Sequence, residues 1–208
     1  MATVRLRKKP GPAPAPRRIG REDSAAREVI LDATEKVLRD DGHAALSSRR
    51  VAEVAGLKQQ LVYYYFRTMD ELILAAFKRR TALSMERFEL VLSSERPLHS
   101  LCDMIFNSSH ARLTMEYMSL ALRKEELRAV VVRFTEENRR MQDALMRRLL
   151  DRHGDRLDML TPPMLTVLIS AAARLLYMEH ELGISAGHAD IRAFFQWAMD
   201  LLEPDGTA

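Results

Sequence analysis

What this sequence lacks narrows it before anything it contains. One cysteine, Cys102, stands among 208 residues, so an internal disulfide and a cysteine-built zinc site are excluded. So sparing a use of cysteine fits a reducing cytoplasm, the expected location. Cys102 lies in the apolar run 98–106, where a thiol reads best as a small buried hydrophobe. No stretch approaches about 18 uninterrupted apolar residues, so no membrane span is expected. The basic N-terminus is not followed by the apolar run of a secretory signal. The histidines at 43, 99, 110, 153, 180 and 188 are scattered without metal-ligand spacing. There is no P-loop, no glycine-rich dinucleotide turn, no HExxH and no GxSxG. No catalytic residue, metal site or cofactor is therefore assigned, and an enzyme is not expected. Alternating strand patterns are absent as well, which leaves an all-α chain.

What is there begins with charge. The whole chain carries +3. Residues 1–21 hold Arg5, Arg7, Lys8, Lys9, Arg17, Arg18 and Arg21 with no acid, so this segment is +7 and the rest sums to −4. Pro10, Gly11, Pro12, Pro14 and Pro16 forbid a helix there. Segment 1–21 reads as a disordered basic arm, serving either as a solubility tail or as a DNA-following arm for the minor groove. At 47% hydrophobic and 29% charged, the remainder is ordinary globular material with enough apolar residues for a sizeable core.

The first helix is expected from Asp23 to Asp40, with Ala26, Val29, Ile30, Ala33, Val37 and Leu38 at the three-and-four spacing of one buried stripe. Asp23 or Ser24 caps its start, and Gly42 supplies a left-handed residue at its end. A short second helix opens at Leu46-Ser47, with Ser47 as N-cap and Val51, Val54 and Ala55 inward. Gly56 breaks it, and a third follows over Lys58–Tyr65. Further helices are read at 70–93, 97–109, 112–122, 125–153, 162–182 and 188–202, punctuated by Pro97, Gly154, Pro162-Pro163, Gly183, Gly187 and Pro204. That makes about nine helices, divided into the arm 1–21, a helix-turn-helix domain 22–68 and a helical domain 69–208.

Helices two and three are about two turns each, too short to stand alone. Packed on the first helix, they have the form of a helix-turn-helix, whose second member enters the major groove of duplex DNA. Leu57, Val62 and Phe66 are spaced to face inward, which turns Lys58, Gln59, Gln60, Tyr63 and Tyr64 outward. Tyr65 fits either side. Glutamine can pair bidentately with adenine, lysine reaches guanine or phosphate, and tyrosine hydroxyls bond phosphate oxygens. With Ser47, Arg49 and Arg50 near the start of helix two, these nine residues are the candidate DNA contacts.

The run Arg27–Leu72 resembles the DNA-binding domain of the tetracycline-repressor (TetR) family of bacterial regulators. The resemblance rests on Ile30, Ala33, Gly42, Leu46-Ser47, Val51-Ala52, Ala55-Gly56, Leu57, Val62-Tyr63, Phe66 and Asp70-Glu71-Leu72, in order and without a gap. Three positions depart from it. Lys58 and Gln60 stand where the family usually has a small residue and a glycine, and Met69 stands where it has a phosphate-touching lysine. The resemblance implies a ligand-released, usually repressing homodimer on a near-palindromic operator. It also implies a fourth helix linking the two domains and a mostly apolar pocket walled by helices five to seven, with help from four and eight. Met104, Phe106, His110, Met115, Met118, Phe134 and Tyr177 are the candidate lining for a small apolar or amphipathic effector.

Ten of the twelve methionines lie between Met85 and Met199, which suits an adaptable pocket or simply a methionine-rich core. The last two helices carry apolar residues on more than one side, and the resemblance implies that residues 162–202 form a four-helix dimer bundle. The rival reading is a helical adaptor whose basic tail binds another polyanion.

Overall fold

The computed structural model describes residues 24–106, 108–153 and 159–204, the side chains of 108–110 excepted. The basic arm 1–21 and the proposed cap Asp23 lie outside these. Among the described residues there are nine α-helices and no strand: α1 Ala25–Asp40, α2 Ser48–Ala55, α3 Gln59–Tyr65, α4 Met69–Leu92, α5 Pro97–Phe106, α6 Ser108–Ala121, α7 Glu125–Leu150, α8 Pro162–Glu181 and α9 His188–Leu202. A 3₁₀ turn at His43–Ala45 joins α1 to α2.

Four of these helices start on a hydroxyl. Ser24, Ser47, Thr68 and Thr161 each hold extended backbone, and each side-chain oxygen accepts the amide three residues on. That satisfies one of the amide groups a helix start leaves open. At α4 the Glu71 side chain also reaches back past the cap, its Oε2 accepting the Arg67 amide at 2.8 Å.

The long helix α4 runs past three apolar clusters in turn. Leu72 and Ala76 join Ile30, Leu31, Val37, Val51, Ala52, Val62 and Phe66 in the first. Ile73 and Phe77 meet Leu38 of α1 and Leu113, Tyr117 and Leu120 of α6 in the second. Phe88 reaches a third, among Leu98, Leu101 and Cys102 of α5 and Leu145, Met146 and Leu149 of α7. Each fully buried aliphatic side chain here is worth about 1.5–3 kcal/mol.

Helix α1 corrects the single-stripe expectation. Val29 is 41% exposed, whereas Leu31 and Thr34 are fully buried. Packing against α2, α4 and α6 requires a wider face than one stripe, and it turns Val29 out. Thr34 is tolerated inside because its hydroxyl donates to the Ile30 carbonyl at 2.8 Å. The helix also ends differently: Asp41 takes the C-cap in right-handed geometry, and Gly42 follows at φ 78°, ψ 170°. That backbone region is essentially open to glycine alone, so Gly42 redirects the chain into the 3₁₀ turn. Gly56, at φ 65°, ψ 27°, is the left-handed residue that closes α2.

Candidate functional site

Helix α3 buries Val62 and rests beside Phe66, which is 2% exposed. Lys58, Gln59, Gln60, Tyr63 and Tyr64 all face outward, with Tyr63 and Tyr64 50% and 46% exposed. Tyr65 is half-buried and packs against the first cluster, its ring edge-on to Tyr64 at 5.1 Å. Sequence left Tyr65 open; the structure turns it toward the core, where it supports Tyr64.

The residue that organises this surface, Ser48, was not among the nine candidates. Ser48 is buried at the first position of α2. Its hydroxyl donates to Tyr63 Oη at 2.9 Å and accepts from Gln59 Nε2 at 2.8 Å. The hydroxyl thus pins two side chains of α3 to α2. Because Tyr63 accepts this bond, its own O–H stays available to donate outward, and Gln59 retains its amide oxygen and second N–H. The only sequence trace was a second serine beside the cap, which is indistinguishable from a helix-start preference.

The other candidates on α2 divide. Ser47 spends its oxygen on capping the Arg50 amide at 3.2 Å. Arg49 is exposed. Arg50 is held by two carboxylates, Nε donating to Asp41 at 2.7 Å and Nη1 to Glu53 at 2.9 Å, so this arginine brings no local positive excess. Met69, in place of the expected lysine, packs on the first cluster. Behind it Asp70 pairs with Lys124 at the entry to α7.

A polar bridge crosses from this unit to α6. Glu116 Oε2 accepts the His43 amide at 2.8 Å and contacts His43 Nδ1 at 2.7 Å. The Glu116 carboxylate lies 3.4 Å from where a Cβ on Gly42 would stand. Arg112, one turn earlier on α6, donates to the Asp40 carbonyl at 3.2 Å.

The other side of α6 forms a wall of a cavity of about 150 Å³ between α4, α5, α6, α7 and α8. Of the candidate lining residues, Met104, Met118 and Phe134 border it. Phe106, Met115 and Tyr177 do not. Phe106 turns to Phe195 of α9, with ring centroids 5.3 Å apart. Ala111, Thr114 and Met118 make the α6 wall, and Met115 lies just past its edge, about 40° around the helix from Ala111. Tyr177 lies beside Glu181, where burial first and that carboxylate second push its phenol up. His110 falls outside the residues whose side chains are described. The lining is also less apolar than expected, since Ser84, Thr114, Thr135, Asn138, Gln142 and Ser170 share it with Arg139 and Arg174.

A larger, almost wholly apolar cleft of about 520 Å³ lies along α8 and α9, against Leu98, Cys102 and Met146. Leu168, Leu175, Ile191, Phe194, Trp197 and Leu201 around it are all more than 40% exposed. Among the described residues no group of three or more His, Cys, Asp or Glu is placed to hold a metal ion, and no helix is long and apolar enough to cross a membrane.

Residues 30–76 match the family described as bacterial regulatory proteins, tetR family. No curated protein matches the chain. Solved structures share its fold. A Rhodococcus sp. protein assigned as a TetR-family transcriptional regulator is 23% identical, with 86% of this chain and 100% of that one covered and a TM-score of 0.67. A TetR transcription regulator from Haloarcula marismortui is 21% identical over 85% and 97%, with a TM-score of 0.63. The multidrug binding protein EbrR, solved with imidazole, is 22% identical over 86% and 94%, with a TM-score of 0.56.

Proposed function

We propose that this chain, whose residues 30–76 match the tetR family and whose fold is shared with solved TetR structures, is a regulator of that family, a homodimeric repressor released from its operator by a small ligand. The observation that carries the reading is the outer face of α3, where Gln59 and Tyr63 are exposed yet held in place by Ser48. A reading head whose side chains are already ordered loses less entropy when it meets DNA. Gln59 and Gln60 suit base edges, while Tyr63, Tyr64, Lys58 and Arg49 suit phosphates.

The assignment of residues 22–68 to DNA and 69–208 to ligand and dimer contacts belongs to the same proposal. The exposed apolar face of α8 and α9 supports dimerisation through residues 162–202, because a patch of this kind on a free chain needs a cover. Two copies related by a two-fold axis match a near-palindromic operator. The cavity supports ligand control. Its α6 wall carries Glu116 and Arg112 on the side that holds His43 and Asp40, so a shift of α6 is transmitted to the base of the reading head. By linkage, ligand and operator then weaken each other's binding by one common factor. The relative EbrR, named as a multidrug binding protein, is a precedent for ligand binding on this fold.

The test is a selection of bound sequences from random duplex DNA, followed by titration at several salt concentrations. A near-palindromic consensus with a salt-sensitive affinity is expected. Enrichment of no sequence would refute the reading.

A further inference from the structure

We propose that the cavity between α4 and α8 takes a small organic anion, a carboxylate on an apolar body about the size of a benzene ring, with Arg174 and Arg139 as its counter-charges. This deepens the ligand-release reading above and rests on it for the consequence at the DNA.

Both Arg139 of α7 and Arg174 of α8 line the cavity, and no Asp or Glu is among the described lining residues. Three other partly buried arginines meet carboxylates. Arg79 pairs with Glu28, Asp32 and Glu35, Arg96 with Asp200, and Arg112 with Glu181. Arg174 instead offers Nη1 to the thioether of Met118 at 4.0 Å, a weak acceptor. Burial pushes its guanidinium below the usual value, and the like charge of Arg139 pushes the same way.

Two positive groups converging on one partly dry space without an acid are unfavourable until an anion arrives. A carboxylate matches a guanidinium fork in two parallel hydrogen bonds. The rest of the space asks for carbon: Phe134, Met104, Met118 and Ile105 form its apolar walls. At about 150 Å³ the volume equals that of engineered cavities known to accept benzene. Inorganic anions alone would leave those walls unfilled. Arg139 is exposed and Arg174 is not, so the first stands at the rim and the second further in.

The experiment is calorimetric titration of the full chain with benzoate and hexanoate, with their uncharged amides, and with inorganic phosphate. At least one acid is expected to bind roughly tenfold or more tightly than its amide. R174M, which keeps the stem's bulk, is expected to erase that preference. R139Q, at the exposed rim and therefore safe for folding, is expected to reduce it several-fold. Both should leave the amide's affinity within about twofold of the parent. Amides binding as well as acids, acid affinity unchanged in both variants, or phosphate competing as well as benzoate would each overturn the proposal. Fluorescence anisotropy of labelled operator separates the two claims. An acid that binds through Arg174 but leaves the operator complex intact refutes ligand release and keeps the anion site. Release by uncharged aromatics that ignore both variants does the reverse.

Discussion

Ser48→Ala tests whether α3 is an ordered reading head. The hydroxyl makes two hydrogen bonds, to Tyr63 and from Gln59, each worth about 1 kcal/mol net. Tyr63 is half exposed, so water replaces part of what it loses. The expected destabilisation is therefore about 1 kcal/mol, a fall in Tm of roughly 2–4 °C for a chain of this size. The larger effect is expected at the DNA. Two side chains now rotate freely before binding, and each costs about 0.5–1.5 kcal/mol to immobilise again. Affinity should drop by roughly five- to a hundredfold for each half-site of the operator, read by fluorescence anisotropy. Tyr63→Phe keeps the ring and removes the hydroxyl that accepts from Ser48, so in a double-mutant cycle the two losses should be clearly less than additive. A Ser48→Ala protein with the lowered Tm but parental affinity, or full additivity with Tyr63→Phe, would refute the reasoning.

Other perturbations test the rest of the structure. Glu203 is buried just beyond α9, and its carboxylate accepts the Leu98 and His99 amides at 3.0 and 3.1 Å, so it caps α5 from the far end of the chain. Glu203→Ala should cost about 3 kcal/mol in denaturant unfolding, and Glu203→Gln, which keeps one acceptor oxygen, about half of that; equal, small losses would show that solvent caps α5 instead. Asp200 is held below its usual 3.8 first by the hydrogen bond from His99, then by those from Gln196 and Arg96. Between the folded and unfolded values the unfolded chain binds more protons, so this contribution is complete above 3.8 and is lost as pH falls through the lowered value. Asp200→Asn should therefore flatten the fall in Tm below about pH 4, and identical acid profiles would count against the pairing. Phe194→Asp, at a side chain 54% exposed on α9, should give a monomer in sedimentation with much weaker operator binding; a parent chain that already sediments as a monomer would rule out dimerisation through α8 and α9.

How much of this was legible in sequence depends on whether the property is local. The helices were, because a 3.6-residue period, Ser24 and Ser47 as caps and Gly56 as a stop act within a few residues of one another. The outward set on α3 followed from the same period once Val62 and Phe66 were taken as inward. By contrast, Val29 was misplaced because one helix's pattern does not reveal how many neighbours it will meet.

Only tertiary structure could decide which side chains face each other across helices. Crossing angle and rotamer bring Ser48 under Tyr63, seat Glu116 against His43 and carry Glu203 to the start of α5. They also set Arg139 and Arg174 on one cavity while closing Arg50 between Asp41 and Glu53. In sequence all three arginines look alike; burial and the nearest carboxylate make one a tie within the fold and leave two facing a space that an anion fits. Periodicity and caps therefore determined the helices and the face that reads outward. The pairing of distant charges, which sets what that face and that cavity can hold, was settled by packing.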